Sequence, residues 1–508
     1  MRKSGSPLNP ASIAVKLFVR PLPRQTLRRR AQPVIDLVVV VRDGTNHLPL
    51  LYSAEMADLL TELQARLPEQ RIKVDPDVVG AYSQDRAIFE GHGTATVLVT
   101  PHSTEEVVAA VLAAKAANAI IVPRGAGTGL TGAANAIDGC MVLSLHNMNE
   151  VLEIDLTNRM ARVQPGVINI DLKEAVAKKG LYYPPDPASV DMSSIGGNVA
   201  TNAGGLCCVK YGVTRDYVMG LEVVLASGEV INTGRRTIKS TTGLDLTGLF
   251  VGSEGLLGII TEVTVKLEPS PPPPQTAVAY FGDLPAAGKA INAVFDRGLQ
   301  PTVMEIIDQA MLKIIEEHYP MDLDTEAACL ILMQSSPDDQ PISELADLCT
   351  EFGATFVYHA VDPDEGEMLL EVRRRAWPAA EKLGKALLPE DIAVKREHLP
   401  ELLAGITQIS EDLDVFIPVI GHAGDGNMHP LLVFDEHDPD ELARIKDAFA
   451  RIVHLALDLG GTLAGEHGVG TLKREFLEDE VDPIHHEMMK KVKATFDPEN
   501  RLNPGKAI

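Results

Sequence analysis

The chain has 508 residues, 45% of them hydrophobic and 23% charged, enough to build two domains with proper cores. Its formal net charge of −25 argues against nucleic acid or an anionic membrane surface as the main partner, because both call for clustered positive charge. Five cysteines (140, 207, 208, 329 and 349) form no CxxC pair and no evenly spaced framework, so neither disulfides nor a cysteine-held iron–sulfur cluster is indicated, and a reducing, cytoplasmic setting is expected.

Residues 1–52 read as a basic extension. Up to Pro33 every charged side chain is Lys or Arg, and the following apolar run, Val34 to Val41, is too short to cross a bilayer. The extension is expected to be disordered, and no function is built on it. Leu59, Leu60, Leu63 and Leu67 have the spacing of an amphipathic helix over residues 53–67. Ser103 and Glu106 predict a capping box that opens a helix buried through Val107, Val108, Val111 and Leu112, with Asn118 closing it.

A strand over 119–122 then feeds the loop VPRGAGTGLTG, Val122 to Gly132. Four glycines in eight residues let the backbone approach a ligand closely and present bare N–H groups, while Arg124 and the hydroxyls of Thr128 and Thr131 add charge and donors. That is a cradle for a diphosphate, although a plain turn has the same composition. It is neither a dinucleotide fingerprint opening a helix nor a P-loop. Strands are expected over 140–145 and 160–164, a short helix between Asp171 and Gly180, and a hairpin over 221–231 turning at Ser227-Gly228. Between them stands a second glycine-rich stretch, SSIGGNVATNAGG, Ser193 to Gly205, preceded by YPPDPAS. Two such loops about seventy residues apart suit a long dinucleotide held between subdomains. The pattern is α+β rather than a regular βαβ series.

The run PSPPPP, Pro269 to Pro274, reads as a stiff connector and a domain boundary. Beyond it, strands over 328–333 and 414–420 alternate with helices, which predicts a cap with a sheet covered by helices. The helix after Asp438-Pro439 buries Leu442, Ile445, Phe449, Ile452 and Val453 and ends at Gly460. In GHAGDGNMHP, Gly421 to Pro430, two histidines flank an Asp-Gly turn after an apolar strand, and GEHGVG, Gly465 to Gly470, offers Glu466 beside His467. Two imidazoles and a carboxylate suit a divalent metal with an open position, whereas packed histidines, a solvated Glu466 and a turn-forming Asp425 are the plainer reading.

In order and spacing, PRGAGTGLTG, PPDP, IGGNVATNAGG, VKYGVTRDYV and GSEGLLGIITEVTVKL resemble the two-subdomain FAD-binding domain of the vanillyl-alcohol-oxidase-type flavoproteins. HAGDGNMHP, GEHGVG and FDPENRLNPGK resemble the C-terminal domain of the FAD-linked D-2-hydroxyacid dehydrogenases, with most likeness to glycolate oxidase flavoprotein subunits and bacterial D-lactate dehydrogenases. The resemblance implies an FAD-binding domain over 53–270, a substrate cap over 271–460, and a segment over 461–508 that completes the site. It implies FAD contacts at Pro123, Arg124, Gly125, Ala126, Gly127, Thr128, Gly129 and Thr131, at Pro185 and Asp186, and at Ser193, Ser194, Gly196, Gly197, Asn198, Thr201, Asn202, Ala203 and Gly204, with Ile259 and Asn503 completing the set. It further implies a divalent metal, zinc foremost, on His422, His429 and Glu466, a base at His467, and a carboxylate-binding Arg373 whose neighbours Arg374 and Arg375 leave the register open.

The implied reaction takes a small D-2-hydroxy acid to the 2-oxo acid. Family members that link flavin covalently carry histidine where Thr128 stands, so the FAD is expected to be dissociable. Leu431 and Pro389 replace a polar residue and a lysine of D-2-hydroxyglutarate dehydrogenases, which weighs against a five-carbon diacid. Expected electron acceptors are a quinone, a cytochrome, a partner iron–sulfur subunit or dioxygen, and the expected assembly is a homo-oligomer, cytoplasmic or peripheral at the inner membrane face. A non-catalytic FAD-fold subunit, an alkyl-dihydroxyacetone-phosphate-synthase-like flavoenzyme and a zinc hydrolase are the competing readings.

Overall fold

The computed structural model describes residues 54–87 and 89–508. The expectation for residues 1–52 lies outside them. No helix among the described residues is long and apolar enough to cross a membrane.

Two small sheets carry the first half. One has the strand order Ile72–Lys73, Val97–Val99, Met141–Ser144, Ile121–Arg124, with the last three parallel. The helices Ala54–Arg66 and Thr104–Ala116 pack on it through Leu59, Leu63, Val107 and Val111. The expected capping box is only half formed: Ser103 accepts from Glu106 N, but Glu106 accepts from His102 N rather than from Ser103, because it also pairs with Arg71. Asn118 does close the helix, at φ 55°. The second sheet is antiparallel, in the order Val151–Asp155, Met160–Val163, Ile259–Lys266, Val218–Val224, Val230–Gly234, and its last two strands form the expected hairpin with Gly228 at φ 90°.

From Gln275 onward the chain builds one eight-stranded antiparallel sheet. Its order is Ala354–His359, Gln275–Phe281, Cys329–Ser335, Val303–Asp308, Val419–His422, Asn427–Phe434, Ala386–Pro389, with Ile392–Ala393 also on Asn427–Phe434. Helices cover both faces. Leu284–Asp296, Leu399–Leu413 and Pro439–Asp458 bury Ile291, Leu402, Ile406, Ile445, Phe449 and Ile452 on one side. Gln309–His318 and Pro363–Glu381 bury Met311, Ile315, Val372 and Ala376 on the other.

The strand expected over 414–420 is instead Val419–His422. Asp414 is left-handed at φ 49°, and Pro418 has no N–H to give a ladder, so the regular pairing starts only after it. His422 thereby ends the strand rather than following it. The chain then returns to the first half: Leu502 bridges Ile121, Ile121 N donates to Arg501 O, and Asn503 N donates to Ile121 O, so residues 501–503 line the edge of the cradle strand.

Candidate active site

A cavity of about 970 Å³ runs between the two glycine-rich loops and the cap sheet. The loops meet face to face: a Cβ on Gly125 would lie 2.6 Å from Ser194 Oγ and 3.4 Å from Gly197 Cα. Gly127, at φ 76°, lets the loop fold over Arg124, whose guanidinium sits where a Cβ would stand. Arg124 is buried, burial lowers its pKa against the pull of Asp85, and its Nη1 has no hydrogen-bond partner among the described residues. Residues Pro123 to Gly129, Ser194, Gly196, Gly197, Asn198, Thr201, Ala203, Gly204 and Ile259 line the cavity.

Six expected contacts do not line it. Thr131 Oγ1 reaches His467 O at 3.4 Å, Asp186 accepts from Cys207 N, and Pro185 precedes it in the same irregular segment. Asn202 accepts from Arg215 N, and Asn503 donates to Ala133 O and Glu254 O. Ser193 is buried with its Oγ unpartnered among the described residues.

Across the cavity, strand pairing sets the second wall. His422 opposes Asn427 and Ile420 opposes His429, so the two histidines are diagonal neighbours on one face of a hairpin. Their ring centroids are 5.1 Å apart, and His467 stacks on His429 at 5.1 Å. Glu466 Oε1 stands 3.6 Å from His422 Nε2, 3.5 Å from His429 Nε2 and 3.8 Å from His467 Nε2. The ligand atoms of His422, His429 and Glu466 all fall within 4.8 Å of one another. A second set, Asp391, His429 and His467, meets the same spacing, but both Asp391 oxygens already accept N–H groups.

The charge states follow from burial and neighbours. Burial pushes His429 down to about 4, which keeps its imidazole neutral. Burial also opposes charge on His422, yet the adjacent carboxylates of Glu305 and Glu466 outweigh it and raise its pKa. Glu466 is driven the other way: burial favours its protonated form, but the three imidazoles around it, His422 foremost, hold it far below the usual carboxylate range.

The loop that carries Glu466 and His467 is clamped from both sides. Asp391 Oδ2, on the cap, accepts from Glu466 N at 2.9 Å and His467 N at 2.8 Å. Glu254, from the first half, accepts from Val469 N and Gly470 N at 2.9 Å each, and burial pushes its pKa up to about 7. Thr131 O accepts from Thr471 N and Leu472 N, tying the same loop to the cradle.

Arg373 lines the cavity one helical turn before Trp377, which also faces it. Arg374 lines the cavity too, but it is half exposed and paired with Glu367 and Glu371, while Arg375 pairs with Glu371. Arg373 is the one drawn inward, by Glu305. The sequence pattern does not single out Glu305, Asp391 or Glu254. The available signal is a carboxylate within or at the edge of an apolar stretch, as in VMEIID and EDIAV.

Residues 270–507 match the family model "FAD linked oxidases, C-terminal domain", and residues 95–234 match "FAD binding domain". The chain is 42% identical over 413 residues to glycolate oxidase subunit GlcD of Bacillus subtilis, covering 80% of this chain and 88% of that one. It is 32% identical over 474 residues to a D-lactate dehydrogenase of Anaerostipes hadrus, covering 90% and 98%. The solved structure of 4-ethylphenol oxidase from Gulosibacter chungangensis superposes with a TM-score of 0.73 at 22% identity, covering 90% of this chain and 97% of that one, and so shares its vanillyl-alcohol-oxidase-type fold.

Proposed function

Because the chain belongs to the FAD-linked oxidases, and is therefore an oxidoreductase acting on CH–OH groups, we propose that it oxidises a small D-2-hydroxy acid, glycolate or D-lactate, to the 2-oxo acid. The observation that carries this reading is the convergence of Glu466, His422, His429, His467 and Arg373 on the same cavity that the glycine loops line.

The residues present fit both groups the reading requires. An unpartnered buried guanidinium N–H on Arg124, and loops whose glycines leave room at the backbone, suit the diphosphate of FAD. Two imidazoles and a carboxylate within 4.8 Å suit a divalent ion, zinc foremost, with room for a further ligand. Bound FAD supplies the two-electron acceptor, and the ion supplies a Lewis acid that acidifies the substrate hydroxyl.

The protein's own groups do the rest. Arg373 offers a planar donor edge to the substrate carboxylate. His422, His429 and Glu466 would hold the ion; His429 is already neutral, and His422 would release a proton on binding it. His467, whose ring stacks on His429 and whose backbone N–H is held by Asp391, accepts the hydroxyl proton. Pro389 and Leu431, paired across two strands on the cavity wall, give a substrate side chain no polar partner, which favours glycolate or D-lactate over a diacid. Thr128 in the cradle leaves the FAD dissociable: acid precipitation should leave the polypeptide colourless, and yellow colour kept on it would contradict this. The five cysteines are free and scattered, so electrons leave to an external acceptor: a quinone, a cytochrome, a partner iron–sulfur subunit or dioxygen.

Anaerobic addition of a panel of D-2-hydroxy acids tests the function. Glycolate or D-lactate should bleach the flavin band and yield the 2-oxo acid in equal amount. A panel in which no member bleaches it would remove the reading.

A further inference from the structure

Glu305 connects two parts of the site that otherwise do not touch. It lies on the Val303–Asp308 strand, directly opposite His422 in the sheet, and is fully buried. Its two oxygens face different partners. Oε1 stands 2.6 Å from His422 Nδ1, and Oε2 accepts from Arg373 Nε at 2.7 Å. No other hydrogen bond engages Arg373 among the described residues, so its Nη edge is left for the cavity it lines.

A carboxylate in this position dictates both neighbours. Because a carboxylate oxygen can only accept, His422 carries a hydrogen on Nδ1, which makes Nε2, on the side that faces Glu466, the nitrogen whose lone pair an ion can take once any proton there is released. By holding Arg373 through Nε, the same group aims the opposite, two-pronged edge of the guanidinium. The apolar neighbours Met304 and Ile306, both buried, leave the Glu305 side chain no alternative polar partner on its own strand.

We propose that Glu305 is a positioning residue that builds the metal seat and the carboxylate seat as one unit, by setting the tautomer of His422 and the aim of Arg373 together. This rests on the reading of His422 as a metal ligand and Arg373 as the substrate anchor. Glutamine at this position keeps the shape but has one oxygen and one NH2. It can serve Arg373 and His422 together only if His422 turns to its Nε2–H tautomer, which takes away the lone pair on the side that faces Glu466.

The test measures Zn²⁺ affinity of the FAD-loaded protein by competition with a chromogenic chelator, alongside KM for D-lactate or glycolate. Glu305→Gln should weaken Zn²⁺ binding by about ten- to a hundredfold and raise KM, with FAD content unchanged. The double variant Glu305→Gln/Arg373→Met frees the amide oxygen for His422, so its Zn²⁺ affinity should return to within about threefold of the parent, while KM stays high. This neutral pair also serves where the single variant does not fold. The proposal is overturned if Glu305→Gln binds Zn²⁺ and substrate like the parent, or if the double variant binds Zn²⁺ at least tenfold more weakly. A parent protein that takes up no Zn²⁺ yet still oxidises the acid would overturn the metal reading itself, and this proposal with it.

Discussion

The two walls of the cavity are built by opposite means. The first is mainly backbone: glycines at 125, 127, 129 and 204 bring bare N–H groups to the surface, Gly196 and Gly197 leave room there while donating their own N–H groups to Pro165 O and Ser194 Oγ, and Arg124 is the buried charge beneath. The second is side chains. There Glu305, Asp391, His422 and His429 are buried beside the partly buried Glu466; Glu305 pairs with His422, Asp391 accepts N–H groups from the Glu466 loop, and Glu466 stands between the two imidazoles. A backbone wall suits a large cofactor whose phosphates need many weak donors and close approach. A wall of buried charges suits chemistry, because opposed groups can hold one another in the protonation state a ligand or a base needs. The first wall should therefore fail when a methyl group is added, and the second when a single partner is taken away.

The largest expected effect lies in the second wall. His422→Ala should lower turnover by about a thousandfold, since a Lewis acid contributes several kcal/mol, yet leave FAD bound, as read from the flavin spectrum of the desalted protein. Next comes Gly204→Ala, which tests how separate the walls are. Gly204 belongs to the second glycine loop, but a Cβ there would stand 2.2 Å from Glu466 Oε2. The substitution should cost Zn²⁺ affinity more than FAD affinity, and the reverse order would undo the division. Asp391→Asn leaves one acceptor oxygen where two now serve Asn427 and the Glu466–His467 backbone, so about ten- to a hundredfold in turnover should be lost, with a smaller change in KM. Gly196→Ala places a methyl 2.5 Å from Pro165 Cβ and 2.9 Å from its carbonyl. Overpacking of that kind costs about 1–3 kcal/mol, so FAD binding should weaken by about ten- to a hundredfold in a fluorescence titration, with Zn²⁺ affinity retained. The smallest effect is at Cys208, whose half-buried thiol is pushed toward the neutral form by burial. Cys208→Ala should keep turnover within about threefold, because an inert thiol acts as a small apolar side chain.

The same contrast explains what could be read from the sequence. Glycine clusters announce a backbone site directly, so the Val122–Gly132 and Ser193–Gly205 loops were visible, and the structure brings them into contact at Gly125 and Ser194. HAGDGNMHP announced a His pair because the two residues flank a short turn, and the register of that hairpin does set them diagonally on one face. Glu305, Asp391 and Glu254 could not be read this way. Each acts on a residue at least 75 positions distant, through pairing that only the sheet and the returning C-terminal segment create. The strand expected over 414–420 starts late because an apolar pattern does not show the N–H that Pro418 lacks, which delays regular pairing until Val419. Asn503 shows a similar limit: its motif stands at the far end of the chain, and its side chain serves the loop carbonyls of Ala133 and Glu254 rather than lining the cavity.

The central claim is that the buried charges of the cap, and not the cradle alone, make the hydroxy acid reactive. Its most direct test is rapid mixing of D-lactate or glycolate with FAD-loaded protein before and after removal of metal by chelation. The account predicts that flavin reduction collapses in the stripped protein while the FAD stays bound, and returns when Zn²⁺ is restored. Flavin reduced at the same rate with and without metal would contradict it.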